Sequence, residues 1–234
     1  MKKAIIFLLF VAYLAAPLFS EAQNQEAKSQ KIHWKSTVNY QCYLPENQEG
    51  KIPLIIFLHG SGERGNDINL VKKWGPPQLI DQGREFPFIV LSPQCPEGRW
   101  WDIYELDHWL DEMIDKYPVD VNRIYLTGLS MGGFATWQWS CAFPCRFAAI
   151  APVCGGGDLQ FADELKEIPV WAFHGQDNPV VPVGRTTEMV EAVNNNGGNA
   201  KATIYPGVGH DSWINAYNTE ELYTWFLQFK KNNQ

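Results

Sequence analysis

The sequence predicts an α/β protein with a mostly parallel central sheet and helices on both of its faces. Three observations predict it. Continuous apolar runs of strand length recur, as at 53–58 and 88–91, which is how strands buried on both faces read. Segments with apolar residues at helical spacing separate such runs, the alternation expected of βαβ crossovers. Finally, glycine-rich or polar clusters follow the apolar runs: His59-Gly60-Ser61-Gly62, Gly128 to Gly133, His174-Gly175-Gln176-Asp177 and Gly207-Val208-Gly209-His210. Ligands in such sheets bind beyond the carboxyl ends of the strands, so four strand ends converge on one candidate site.

Taken in order, residues 1–22 read as a secretory signal peptide. Lys2-Lys3 precede an almost wholly apolar stretch from Ala4 to Leu18, and Ser20-Glu21-Ala22 resembles a small-x-small cleavage site. The apolar run is short for a membrane span. Residues 23–34 form a polar leader, and 35–234 are read as a single catalytic-size domain. The alternating segment 37–43 predicts an early edge strand, followed by buried strands at 53–58 and 88–91. Leu106, Trp109, Leu110, Met113 and Ile114 fall on one helical face within 103–117. A strand at 123–126, a helix from Phe134 toward Pro144 and a strand at 147–153 come next. Strands at 169–173 and 200–205 and helices at 186–194 and 219–229 complete the chain.

Composition narrows the function classes. The chain has 234 residues, 45% of them hydrophobic, and a formal charge of −7; without residues 1–22, which carry Lys2, Lys3 and Glu21, it is −8. An acidic chain with no basic stripe argues against nucleic acid as a partner. The five cysteines (Cys42, Cys95, Cys141, Cys145, Cys154) are an odd number, so at least one has no partner within the chain, and no pairing is readable. No Cys-x-x-Cys or paired-histidine spacing suggests a metal.

The chemistry is carried by Gly128-Leu129-Ser130-Met131-Gly132. Gly-x-Ser-x-Gly between a strand and a helix is the nucleophile elbow, a sharp turn that exposes the serine hydroxyl at a helix N-terminus. The pattern alone also describes any glycine-rich turn, so its context decides. A serine needs a base, and the base needs an acid to hold its tautomer, in the chain order serine, acid, histidine. His210, after the last strand, is the expected base. Asp177, after the strand at 169–173, is the expected acid. Asp158 follows the wrong strand and Asp211 adjoins His210; His33 and His108 read as structural or solvated, and His59 and His174 as scaffolding of the site. The backbone N–H groups of Met131 and Ser61 are the expected oxyanion donors, Ser61 because its loop follows an early strand.

Together, Leu58-His59-Gly60-Ser61-Gly62-Glu63-Arg64-Gly65, Gly128-Leu129-Ser130-Met131-Gly132-Gly133, Phe173-His174-Gly175-Gln176-Asp177 and Gly209-His210-Asp211 resemble the α/β-hydrolase superfamily over about residues 35–230. More narrowly they resemble secreted bacterial carboxylesterases of the feruloyl-esterase and polyhydroxybutyrate-depolymerase-like group, with kinship to prolyl oligopeptidase catalytic domains. That resemblance implies an α/β-hydrolase fold, a Ser130–Asp177–His210 triad, an acyl-enzyme and no metal or organic cofactor. It also implies a secreted or periplasmic enzyme acting on a small or polymer-linked ester.

Only 46 residues separate Ser130 from Asp177, too few for a lid domain beside the elements they must contain. Of ten tryptophans, Trp74, Trp100, Trp101 and Trp213 fall in predicted loops. Trp100, Trp101 and Trp213 are the candidate substrate-facing aromatics. A serine peptidase, or a binding protein on the same fold, is the alternative reading.

Overall fold

The computed structural model describes residues 25–31, 36–46 and 49–231. The expected signal peptide lies outside the described residues, as does part of the leader. Eight strands form one sheet in the order β1-β2-β4-β3-β5-β6-β7-β8. They are β1 (Glu26–Lys31), β2 (Thr37–Tyr43), β3 (Ile52–Leu58), β4 (Ile89–Pro93), β5 (Val119–Leu129), β6 (Ala149–Val153), β7 (Val170–Gly175) and β8 (Ala200–Tyr205). β1 and β2 join antiparallel; β3 to β8 are mutually parallel.

All seven residues of β3 are buried, as its uninterrupted apolar run requires. Their side chains alternate between two cores. Leu54, Ile56 and Leu58 join one apolar cluster, and Ile55 and Phe57 join the other. The first cluster is covered by α2 (Ile103–Lys116), α3 (Met131–Ala142) and α4 (Gly184–Asn195). The second is covered by α1 (Gly75–Asp81), α5 (Trp213–Tyr217) and α6 (Glu220–Phe226). Helix α2 starts at Asp102, whose carboxylate accepts from the N–H groups of Tyr104 and Glu105, and it buries Leu106, Trp109, Leu110 and Met113. Asp107, on the same helix, accepts from Trp139 of α3 and pairs with Arg146 through two bonds of 3.0 and 2.8 Å. That network fastens α2 to the helix behind the elbow.

One expectation needs correction. The polar stretch 26–31, read as leader, is a strand of the sheet, so β2 is the second strand and not the edge. Lys28 and Glu26 pair on it at 2.7 Å, the kind of charged dressing an edge strand carries. In addition, 75–81 form a helix with Pro76 and Pro77 in its first turn, where missing N–H groups cost nothing. Between β6 and β7 the chain forms only a 3-10 segment, Leu159–Leu165, consistent with the absence of a lid there.

Candidate active site

β5 is central, paired with β3 from Leu54↔Ile124 to Leu58↔Gly128 and with β6 out to Leu129↔Val153. The chain turns sharply at its end. Ser130 has φ 52° and ψ −114°, a backbone conformation that costs a non-glycine residue about 1–3 kcal/mol. It is held there by bonds on both sides: Ser130 N–H donates to Val153 O at 2.9 Å, and Phe134 N–H to Ser130 O at 3.0 Å. The flanking glycines make the turn fit, since a Cβ on Gly132 would overlap the Leu58 carbonyl and one on Gly128 would press on Gly132 and Leu58. Ser130 Oγ lies 2.9 Å from His210 Nε2.

His210 reaches that position because its loop is pressed against the end of β7. Asp177 N–H donates to Val208 O at 3.0 Å and Gln176 N–H to Tyr205 O at 2.9 Å, and Gly175 leaves room for the carbonyls of Val208 and Gly209. Burial, and secondarily His174, pulls the His210 pKa below its ordinary value, while Asp211 opposes that shift. A neutral imidazole facing a serine hydroxyl is the arrangement of a general base.

The acid is where expectation and structure part. His210 Nδ1 faces Asn178 Oδ1 at 3.1 Å, whereas Asp177 is exposed. Strand β7 ends at Gly175; Gln176 and Asp177 form a turn closed by Asn178 N–H to Gly175 O at 3.3 Å and tied to the His210 loop, with both of their side chains exposed and that of Asn178 buried. Asn178 Oδ1 also accepts from Val180 N–H and Val181 N–H, both at 3.0 Å.

The two expected oxyanion donors lie on adjoining segments. Met131 is the first residue of α3, where N–H groups are unsatisfied by the helix. Ser61 opens a 3-10 turn, Ser61–Glu63, directly after His59-Gly60. Gly60 packs on Leu129, and Gly132 on the carbonyls of Leu58 and His59. His59 is fully buried: its Nε2 accepts from Cys95 N–H at 3.0 Å, so Nδ1 carries the proton toward Gly60 O at 2.6 Å. It is scaffolding, as expected.

Burial lowers the His59 pKa to about 4. Folding therefore favours the neutral ring. That contribution is complete above the unfolded-state pKa near 6.5 and is lost progressively as pH falls toward 4, for roughly 3 kcal/mol in all. Urea midpoints measured from pH 7 to pH 4 should fall across this window, and His59→Gln should flatten the part of the slope that the imidazole causes.

The three candidate aromatics separate. Trp101 is buried, donates Nε1–H to His59 O at 3.2 Å and packs on the His59 ring at 4.7 Å, so it braces the loop and offers no face to a ligand. Trp213 lies edge-on to His210 at 5.2 Å and 5.9 Å from Trp74. Trp100 is 65% exposed and meets Phe134, one helical turn after Ser130, at 6.5 Å. Phe134, Trp74 and Asn178 were not singled out from sequence as site residues. The spacing Ser130 to Phe134 was the available signal for Phe134, since residues four apart share a helix face. The five cysteines are free thiols. Among the described residues no group of three or more His, Cys, Asp or Glu side chains is set to hold a metal ion.

Residues 44–219 match the family model described as phospholipase/carboxylesterase. The chain belongs to that family. Among curated relatives, a bifunctional acetylxylan esterase/xylanase of Neocallimastix patriciarum is 29% identical over 59% of this chain and 21% of its own length. An acyl-protein thioesterase 1 of Neurospora crassa is 26% identical over 68% of this chain and 80% of the relative. A probable feruloyl esterase C of Aspergillus niger is 26% identical over 78% and 70%. Among solved structures, a thermostable esterase superposes with a TM-score of 0.80 at 32% identity, covering 90% of this chain and 64% of that one. The chain thus spans about a fifth of the bifunctional relative and under two thirds of the thermostable esterase.

Proposed function

We propose that this protein is an exported serine carboxylesterase acting on acetyl or hydroxycinnamoyl esters attached to plant polysaccharide. The observation that carries the reading is the 2.9 Å contact between Ser130 Oγ, on a strained strand-to-helix turn, and His210 Nε2. In this mechanism Ser130 Oγ attacks the ester carbonyl carbon as its proton passes to His210 Nε2. The negative oxygen is received by the N–H groups of Met131 and Ser61. His210 returns the proton to the departing alcohol, then takes one from the water that releases the acid.

Two observations support the polymer-linked ester. A 3-10 segment is all that spans β6 to β7, which suits a substrate that cannot be engulfed. Exposed or half-exposed aromatic rings lie near the serine and histidine, Trp100 against Phe134 one helical turn after Ser130, and Trp213 against both His210 and Trp74, suited to a flat acyl group or a sugar face. Export rests on the residue pattern of 1–22.

The test is a panel of p-nitrophenyl acetate, methyl hydroxycinnamates, palmitoyl thioesters and aminoacyl-proline amides, compared by kcat/KM. Acetyl and hydroxycinnamoyl oxygen esters should lead by at least tenfold. Thioester turnover in front would make the protein a thioesterase, and amide turnover in front would make it a peptidase. Absence of fluorophosphonate labelling of the wild-type protein would remove the hydrolase reading altogether.

A further inference from the structure

A serine hydrolase needs its histidine held with the proton on the nitrogen remote from serine, so that the near nitrogen accepts. An aspartate does this and also stabilises the imidazolium that forms. An amide at the same place can do only the first, and only if its oxygen faces the ring; turned the other way it would impose the wrong tautomer.

The surroundings of Asn178 settle which way it faces. Two backbone N–H groups, of Val180 and Val181, converge on Oδ1 at 3.0 Å, and a side-chain NH₂ in that position would meet donors with donors. Oδ1 is therefore the atom 3.1 Å from His210 Nδ1, which must carry the hydrogen and leave Nε2 free for Ser130. The opposite end of the amide faces His174. Thr186 Oγ1–H donates to Gly155 O at 2.9 Å, so Thr186 accepts from His174 Nδ1–H at 2.7 Å. His174 Nε2 lies 3.0 Å from Asn178 Nδ2 and 2.9 Å from Val181 O, so a lone pair there would accept from the amide but meet a second acceptor, and the orientation of Asn178 rests on the two N–H groups at Oδ1. His174 is fully buried, and burial lowers its pKa while the Val181 carbonyl opposes that shift.

We propose that Asn178 is the positioning residue for His210, so that this enzyme works with an uncharged Ser130–His210–Asn178 set and no carboxylate against the imidazole. The inference rests on the serine-hydrolase reading above. It assigns the tautomer to the Asn178 oxygen and leaves the imidazolium formed during acylation without a carboxylate on Nδ1. The titratable groups around His210 are then His174 from β7 and Asp211 from its own loop, the latter exposed and screened. Ester hydrolysis conserves its atoms as before: the Ser130 proton goes to Nε2 and on to the alcohol, while the Nδ1 hydrogen stays on His210 throughout.

Asn178→Asp and Asp177→Asn test this, read by kcat, by the acid limb of the kcat/KM profile and by fluorophosphonate labelling. Asn178→Asp should raise kcat about tenfold and move the acid limb upward by about one pH unit, because a carboxylate favours the protonated ring. Asp177→Asn should stay within about twofold of wild type with an unmoved limb. A hundredfold loss in Asp177→Asn would return the acid to Asp177 and overturn the proposal, and so would a well-folded Asn178→Asp with kcat and limb both unchanged. If Asn178→Asp does not fold, the Asp177→Asn result decides alone. Labelled wild-type protein with either adverse result would sink only the inference, whereas unlabelled wild-type protein would sink the hydrolase reading beneath it.

Discussion

Ser130→Ala will lower kcat for ester hydrolysis by about 10⁴–10⁶ and abolish fluorophosphonate labelling, while leaving the fold in place. The magnitude follows from removing the atom proposed to form the acyl bond, with the proposed oxyanion donors and binding surface untouched. The intact fold follows from what the hydroxyl does in the resting protein. Ser130 precedes α3 without capping it through its side chain, and its Oγ contact is to His210. Alanine at φ 52° carries the same backbone strain that serine already carries. The melting temperature should therefore shift by no more than about 4 °C, the equivalent of roughly 1 kcal/mol in a chain of this size. A variant that keeps near-wild-type turnover would mean that Ser130 is not the nucleophile. One that loses activity only because it melts would leave the catalytic assignment to labelling of the wild-type serine.

Much of the site was legible because its signals are short-range. An apolar run that tolerates no polar residue, such as Ile52–Leu58, has to be covered on both faces, and that alone places β3 inside a sheet. Gly-x-Ser-x-Gly after such a strand restricts the backbone so tightly that the turn is nearly implied. His210 was found by elimination among five histidines, each judged by what precedes it. The acid failed for the opposite reason. Asp177 was weighed only against other carboxylates, Asp158 and Asp211, but what decides is which side chain the turn sends inward. That direction depends on main-chain bonds from Gln176 and Asp177 to Tyr205 and Val208, about thirty residues away. Trp101 failed similarly: in a loop it read as a ligand platform, yet its indole N–H is committed to the His59 carbonyl. The strand at Glu26–Lys31 has no apolar period because it borders the sheet, where pairing with β2 supplies its order and burial does not.

The largest expected effect on stability lies one residue beyond Met131, the proposed oxyanion donor. A Cβ built on Gly132 would overlap the Leu58 carbonyl oxygen and sit 2.8 Å from that of His59. Both neighbours are main chain. Leu58 ends β3, hydrogen-bonded between β4 and β5 in the middle of the sheet, so it has no rotamer by which to give way. Relief has to come from moving the start of α3 off β3, which also displaces Met131 and reopens the turn that strains Ser130. Gly132→Ala should thus cost more than about 3 kcal/mol, visible as a fall in melting temperature of roughly 6–12 °C, with esterase activity reduced even below the transition. Gly62→Ala is the matched control in stability. It lies in the other loop of the site, but a Cβ there meets nothing within 4 Å, and its melting temperature should stay within about 2 °C of wild type. Equal melting temperatures for the two variants would mean that the elbow is not packed on the end of β3. The close approach of helix and strand, on which the position of the proposed oxyanion donors depends, would then have to be abandoned.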